Sequence, residues 1–85
     1  MSNLPAQALK EPLPLFKKVG QEILRLRREK GLTQIGLAQK IGVTQQEISR
    51  VENGDNCSLS TLHRISKALD YDIEIIFKEK THEKI

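Results

Sequence analysis

One stretch of twenty residues constrains the fold more than any other part of this chain. Residues 34–53, QIGLAQKIGVTQQEISRVEN, contain two short runs of helically spaced apolar side chains with Gly42 between them. Glycine can end a helix here because it accepts positive φ. Thr44 then begins a Thr-x-x-Glu capping box with Glu47, in which hydroxyl and carboxylate each accept a backbone N–H. The sequence therefore predicts two helices that cross steeply, with Ala38 small enough to let them approach.

Apolar periodicity predicts further helices on both sides of this pair. Each helical segment is bounded by a capping residue or a glycine, and Thr33 is the expected N-cap of the second helix. Two short helices joined by so tight a turn form a helix-turn-helix. We expect helices over residues 15–30, 33–41, 45–52 and from 58 or 60 to 69.

The two ends of the chain differ from this central domain, which we expect to span residues 15–70. Residues 1–14 contain all three prolines and no helical period, which predicts a mobile N-terminal arm. Residues 80–85 are mostly polar or charged and are expected to fray.

The segment between them, residues 71–79, changes to a period of two. Ile73, Ile75 and Phe77 alternate with charged residues, which predicts a β-strand, although Ile76 interrupts the alternation. A single strand cannot satisfy its own backbone, and no other segment has a strand pattern. We therefore expect this strand to pair antiparallel with its copy in a homodimer. The alternatives are a short helix or an extended tail lying on the core.

Length and composition limit the class of protein. A chain of 85 residues suffices for one small domain, and a dimer interface would add to its modest stability. The single cysteine, Cys57, excludes an internal disulfide and favours a reducing cytoplasm. The N-terminus has no secretory pattern, and no apolar run approaches the ~20 residues of a membrane helix.

The net charge of +3 is unevenly distributed. Residues 16–30 contain six basic and two acidic side chains, a local net charge of +4, which leaves about −1 for the rest of the chain. Such a patch favours a polyanionic partner, and the alternative is an ordinary solvated helix face.

The segment 27–69 resembles the phage-repressor-like (Cro-like, XRE) helix-turn-helix family. The resemblance implies a mainly α domain of four to five helices whose third helix enters the major groove of DNA. The strand after the fourth helix resembles the HipB antitoxin branch. The residues that carry the family resemblance are Gly31–Gln34, Leu37–Ala38, Gly42, Thr44–Gln46, Ile48–Ser49, Glu52–Gly54, Ser58–Leu62 and Ala68–Leu69.

Polar residues on the third helix are the candidates for base recognition. A glutamine amide both donates and accepts, as an adenine edge requires, and an arginine can pair with guanine or with phosphate. The alternative is that these residues are ordinary exposed side chains. The candidates for base recognition are Gln45, Gln46, Ser49 and Arg50, and those for phosphate, chosen at helix starts and by resemblance, are Thr33, Gln34, Lys40, Thr44 and Asn53.

The resemblance also implies a buried ion pair between Arg27 and Glu52, whereas Arg27 could instead bind phosphate. We expect no enzyme activity, cofactor or metal site. His63, His82 and Cys57 form no catalytic set and provide too few ligands for zinc.

The leading interpretation is a homodimeric repressor that binds a near-palindromic operator in double-stranded DNA. By resemblance to HipB it would be an antitoxin that represses its own operon and binds a toxin such as a HipA-like kinase. The alternatives are a stand-alone phage-type or restriction-modification controller, or a protein-interaction module without DNA binding. The expected dimer strand comprises Ile73, Ile75, Ile76 and Phe77.

Overall fold

The computed structural model describes residues 14–80, which contain four α-helices. The helical bounds lie within one residue of those predicted, so the mainly α helix-turn-helix architecture is confirmed. The expectations for residues 1–13 and 81–85 lie outside the described part of the chain. The helices are α1 (Pro14–Glu29), α2 (Gln34–Ile41), α3 (Gln45–Glu52) and α4 (Leu59–Ala68).

Hydroxyl side chains begin three of these helices. Thr33 Oγ1 accepts from the Gly36 N–H at 2.9 Å, and Ser58 Oγ accepts from the Thr61 N–H at 3.0 Å. Helix α1 instead begins at Pro14, whose fixed φ suits the first helical position. Pro14 therefore belongs to the helix, and the prediction that placed it in the N-terminal arm was wrong.

The core is formed by apolar side chains from all four helices. The largest fully buried ones come from α2, α3, α4 and the residue that ends α4, Leu69, and α1 adds Ile23 and Leu26. Helix α3 lies at the centre, since both α1 and α2 pack on it, while α4 packs on α2. The fully buried large side chains are Leu37, Ile48, Ile65 and Leu69.

The segment after α4 differs from the prediction. Residues 71–80 form neither a helix nor a β-strand, so the strand predicted over residues 71–79 is absent from the structure of this single chain. The physical reason is that a strand is defined by a hydrogen-bonded neighbour, and residues 14–80 offer no second segment of that kind. Its apolar side chains are exposed: Ile75 is 55% and Phe77 95% accessible. The pairing of two such tails therefore stays a proposal.

Candidate nucleic-acid interface

The turn between α2 and α3 has the geometry that its sequence predicted. Gly42 has φ 75° and ψ 34°, the left-handed conformation, and the Val43 N–H donates to the Ala38 carbonyl at 3.0 Å. Thr44 Oγ1 accepts from the Glu47 N–H at 3.1 Å. The return bond of the predicted capping box, from the Thr44 N–H to the Glu47 carboxylate, is missing from the hydrogen bonds of residues 14–80. The hydroxyl alone therefore caps α3.

Helix α3 has one buried and one exposed side. Ile48 and Val51 are buried against the core. Gln45, Gln46 and Arg50 are exposed, and Ser49 is half-buried. The four residues predicted for base recognition thus lie on one short helix with amide and guanidinium groups accessible to a ligand.

A buried ion pair fixes the end of α3 to α1. Arg27 Nε donates to Glu52 Oε2 at 2.6 Å, and Arg27 Nη2 donates to Glu52 Oε1 at 3.0 Å. The two side chains are only 9% and 4% accessible. The third donor, Arg27 Nη1, bonds to the Leu32 carbonyl at 2.8 Å. The hydrogen bonds and charge of Glu52 raise the pKa of Arg27 above its ordinary value although burial opposes this, so the guanidinium stays charged.

The ion pair continues into a series of side-chain hydrogen bonds that ends at the surface. Gln34 Nε2 donates to Glu52 Oε1 at 3.0 Å, and Gln45 Nε2 donates to Gln34 Oε1 at 3.2 Å. An ionised carboxylate can only accept, so Gln34 must turn its NH₂ group toward Glu52 and its oxygen toward Gln45. Gln45 must then donate, which leaves its Oε1 and its second N–H available to a ligand. Adenine offers the matching pair, a donor at N6 and an acceptor at N7.

The candidate phosphate ligands do not all lie together. Thr33 and Thr44 are the N-caps of α2 and α3, and Asn53 is exposed at the C-terminal end of α3. Gln34 is half-buried beside Glu52. Lys40 is instead in the last turn of α2, where it lines a shallow concavity shared with α4. That concavity is also lined by His63, Arg64 and Lys67.

The positive charge of α1 is less available than the sequence indicated. Arg25 forms ion pairs with Glu22 and Glu29 along the exposed side of the helix. Arg27 is neutralised by the buried Glu52. Glu22 and Glu29 are already counted in the local net charge of +4 for residues 16–30, so only the pairing of Arg27 with Glu52 reduces it, by one. The polar side of α3 is a second, separate indication of a nucleic-acid ligand.

Sequence reasoning missed Gly20. This residue is buried in α1, where an added Cβ would lie 2.3 Å from the Val51 carbonyl oxygen and 2.8 Å from that of Glu52. Glycine thus lets α1 lie directly against the C-terminal end of α3. The available signal was a glycine inside an otherwise regular helical pattern, where it is unfavourable unless close packing requires it.

Other chemistry has little support within residues 14–80. This part of the chain has no group of three or more His, Cys, Asp or Glu side chains placed to hold a metal ion. Its helices are too short or too polar to cross a membrane. Burial, with a contribution from the charge of Glu47, raises the pKa of the Cys57 thiol, which makes it a poor nucleophile.

Comparison with known proteins agrees with this geometry. Residues 23–76 match the helix-turn-helix family HTH_3. The chain belongs to this XRE-type family. One curated relative of this XRE-type protein is the uncharacterised HTH-type transcriptional regulator y4dJ of Sinorhizobium fredii, 44% identical over 67% of this chain and 75% of the relative. The chain spans about half the length of several other curated regulators that it matches.

Two solved structures show the same fold. The restriction-modification controller protein C.AhdI from Aeromonas hydrophila has a TM-score of 0.68 and 34% identity, over 71% of this chain and 92% of that one. SinR, a master regulator for biofilm formation solved in complex with DNA, has a TM-score of 0.60 and 36% identity, over 64% of this chain and 89% of that one.

Proposed function

We propose that this XRE-type protein is a sequence-specific DNA-binding transcriptional repressor that acts as a homodimer in the bacterial cytoplasm. The observation that carries the proposal is the exposed polar side of α3, whose first residue, Gln45, is oriented from the protein interior through Gln34 and Glu52. Support also comes from the family match and from the fold shared with SinR in its DNA complex.

In this proposal α3 lies in the major groove and different residues have different tasks. Gln45 and Gln46 meet base edges, and Arg50 pairs with a guanine or a phosphate, with Ser49 close by. The N-terminal ends of α2 and α3, at Thr33 and Thr44, approach phosphates because their free N–H groups favour anions. Asn53 is the remaining phosphate ligand, whereas Gln34, whose amide bonds to Glu52 and Gln45, orients Gln45 instead. Lys40, which lies toward α4, is the weakest candidate of the set.

Two-fold symmetry sets the form of the operator. Two copies of α3 would enter successive major grooves on one face of the duplex, roughly 34–36 Å apart, so the site should be near-palindromic. The test is selection of bound sequences from a randomised double-stranded DNA library with the full chain. Enrichment of an inverted repeat with half-sites one helical turn apart is the expected result. Enrichment of no sequence above the input library would contradict the proposal.

Two finer assignments rest on different features. The likeness to the controller C.AhdI supports a stand-alone regulator of the restriction-modification type. The apolar C-terminal tail and the resemblance to HipB support an antitoxin that represses its own operon and binds a toxin such as a HipA-like kinase. The likeness to controllers favours the first assignment.

Neighbouring genes distinguish these two assignments. A reading frame for a restriction enzyme or a methyltransferase beside this one favours the controller. An abutting reading frame for a kinase-like toxin, whose protein product co-purifies with this chain, favours the antitoxin. If the library selection enriches no DNA sequence but a protein partner binds to α3, the chain is a protein-interaction module without DNA binding.

A further inference from the structure

A basic concavity lies between the C-terminal end of α2 and the second half of α4. It has a volume of about 460 Å³ and is open to solvent. Its lining combines exposed basic side chains with half-buried apolar ones from both helices. The residues that define this α2–α4 concavity are Lys40 and Ile41 of α2 and His63, Arg64, Lys67 and Ala68 of α4.

The two helices that form the α2–α4 concavity contain no acidic residue. Together they carry three basic residues and none of the 11 acidic residues of the chain. Helix α1 differs, because Glu22 and Glu29 pair with Arg25 on its exposed side. The positive charge of the concavity is therefore not compensated by its own helices.

One carboxylate from elsewhere in residues 14–80 forms an ion pair at the concavity. Asp72 Oδ1 lies 3.9 Å from Lys67 Nζ, and the two side chains are 96% and 65% accessible. A pair as exposed as this one contributes little, because water screens the two charges. Lys67 thus remains available to a carboxylate of another molecule.

Arg64 is the basic residue of the concavity that the fold orients. Its Nη1 donates to the Ile41 carbonyl at 3.0 Å, and that carbonyl belongs to the last turn of α2, whose final carbonyls have no partner within the helix. This is the one hydrogen bond of the Arg64 side chain within residues 14–80, so Nε and Nη2 are left for a ligand. These two donors form a fork that matches the two oxygens of a carboxylate. Arg27 binds Glu52 through the same two donors.

The lining and the position of the concavity favour a protein ligand over nucleic acid. Ile41 and Ala68 offer apolar surface, which aliphatic side chains of a peptide can cover and a sugar–phosphate backbone cannot. Thr33, a candidate phosphate ligand, caps the N-terminal end of α2. Lys40 is in the last turn of that helix, about 10 Å farther along its axis.

We propose that the α2–α4 concavity is a docking surface for an acidic segment of a partner protein, in which carboxylate side chains alternate with aliphatic ones. One carboxylate pairs with Nε and Nη2 of Arg64, and its neighbours lie beside Lys40 and Lys67. An aliphatic side chain packs on Ile41 and Ala68. Because no residue of α3 lines the concavity, this docking leaves α3 free for DNA and goes beyond the proposed function.

Synthetic peptides test the chemistry of this ligand. The probe is a short fluorescein-labelled peptide in which glutamate alternates with leucine, titrated with the full chain and followed by fluorescence anisotropy. Two control peptides replace every glutamate by glutamine or every leucine by serine, and we expect each to bind about five-fold or more weakly. Equal binding of either control, or no binding of the glutamate–leucine peptide, would overturn the proposal.

Lysine variants test whether the peptide lies in the concavity. The double variant Lys40→Ala/Lys67→Ala should raise the Kd of the glutamate–leucine peptide about five-fold or more. The control Lys17→Ala/Lys18→Ala removes the same charge from exposed positions of α1 and should change the Kd little, because salt screens distant charges. Equal losses would indicate attraction by net charge alone and would overturn the docking surface. A light-scattering mass that halves in Lys40→Ala/Lys67→Ala would identify a second copy as the occupant and would also overturn it.

A conservative variant tests the fork of Arg64. Arg64→Lys keeps the charge but removes the planar pair of donors, so we expect about three-fold or more weaker binding of the glutamate–leucine peptide. Lys67→Arg, the reverse change, should bind the peptide at least as well as the wild type. Thermal unfolding checks that both variants are folded. Wild-type affinity in a folded Arg64→Lys chain would overturn the role of the fork.

Operator DNA separates this inference from the proposed function. We expect unlabelled operator to leave the peptide bound, and Lys40→Ala/Lys67→Ala to bind operator with the salt dependence of the wild type. Displacement of the peptide, or a salt slope shallower by about one for each lysine removed, would show that the concavity contacts DNA phosphate and would overturn the inference while DNA binding stands. A chain that binds the peptide through Lys40 and Lys67 but selects no DNA would overturn the proposed function and support the docking surface.

Discussion

Gln45 differs from the other exposed side chains of α3 because its amide is held by the protein. Its donor bonds to Gln34, and Gln34 bonds in turn to the buried carboxylate of Glu52. The Glu52 carboxylate can only accept, so Gln34 must donate to it and accept from Gln45, and this fixes the orientation of both amides. If α3 binds DNA, Gln45 meets the base already oriented and loses little rotational freedom on binding.

The first prediction concerns the base that Gln45 recognises. Gln45→Ala should cost about 1–3 kcal/mol of binding free energy and relax the preference at one base pair in each half-site. The measurement is fluorescence anisotropy against the selected operator and its single-base variants. Gln21→Ala, at an exposed position of α1, is the control and should bind as wild type. An unchanged preference at every position would remove Gln45 from base recognition.

A second prediction separates orientation from phosphate binding at Gln34. Gln34→Ala frees the Gln45 amide, so we expect discrimination at the same base pair to fall by ~0.5–1.5 kcal/mol, the net value of one hydrogen bond. Loss of a phosphate contact would instead weaken all operator variants equally. A uniform loss in the same anisotropy series would therefore contradict the orienting role.

A third prediction concerns stability. Glu52→Ala leaves Arg27 buried without its partner, which should lower the free energy of unfolding by roughly 3–5 kcal/mol. Glu29→Ala, which removes a partner of the exposed Arg25, should leave it nearly unchanged because water screens that pair. Urea denaturation followed by circular dichroism measures both variants. Equal midpoints for the two would show that the buried pair adds nothing to stability.

At the scale of elements, the close approach of α1 to α3 is the tightest constraint on packing. Gly20 faces the carbonyl oxygens of Val51 and Glu52 at distances that admit no side chain. These carbonyls belong to the last turn of α3, the turn that also bears the buried carboxylate. The direction in which α3 projects from the domain is therefore set by contact with α1 at this point.

The fourth prediction follows from that contact. Gly20→Ala would improve helix propensity in α1 but force the two backbones apart, and overpacking of this kind typically costs about 1–3 kcal/mol. Gln21→Ala, one position along the same helix, should be neutral or slightly stabilising because it faces solvent. Thermal unfolding of the two variants distinguishes these effects. A melting temperature for Gly20→Ala at or above that of wild type would show that α1 can move away without penalty.

The helices were predictable because their ends are encoded locally. Thr33, Gly42 and Thr44 each have a conformational preference that acts within a few residues, and the structure places them as caps and turn. The tail was not predictable in this way. Alternation over residues 71–79 predicted a strand that the structure does not show, because a strand forms only with a hydrogen-bonded neighbour and residues 14–80 provide none. The role of Gly20 was not predicted because the backbone that it packs against, at Val51 and Glu52, belongs to a helix far along the chain.

At the scale of the whole molecule, the proposed DNA-binding site offers mainly hydrogen-bonding groups. These are the glutamine amides of α3 and the backbone N–H groups at the N-terminal ends of α2 and α3. Of the three arginines clustered at residues 25–28, Arg25 and Arg27 are paired within the chain, and Arg28 is exposed. Binding should therefore depend on positioned hydrogen-bond donors as well as on charge.

The fifth prediction concerns salt. If each subunit neutralises about two to three phosphates, the logarithm of the dimer's association constant should fall with the logarithm of salt concentration with a slope of roughly −4 to −5. Arg25→Ala should leave the slope unchanged because that side chain is neutralised by Glu22 and Glu29. Anisotropy titrations from low to moderate salt measure both slopes. A shallower slope for Arg25→Ala than for the wild type would show that Arg25 contacts a DNA phosphate.

The series from Arg27 to Gln45 also bears on how such a regulator could acquire a new operator. Gln46 and Arg50 are exposed and stand apart from this series, so substitutions there can alter the preferred sequence without disturbing the fold. A change at Gln45 removes a partner from Gln34 and reaches the interior, so it alters specificity and structure together. Among duplicated copies of this gene, we expect Gln46 and Arg50 to diverge first and Gln45 to change only together with Gln34.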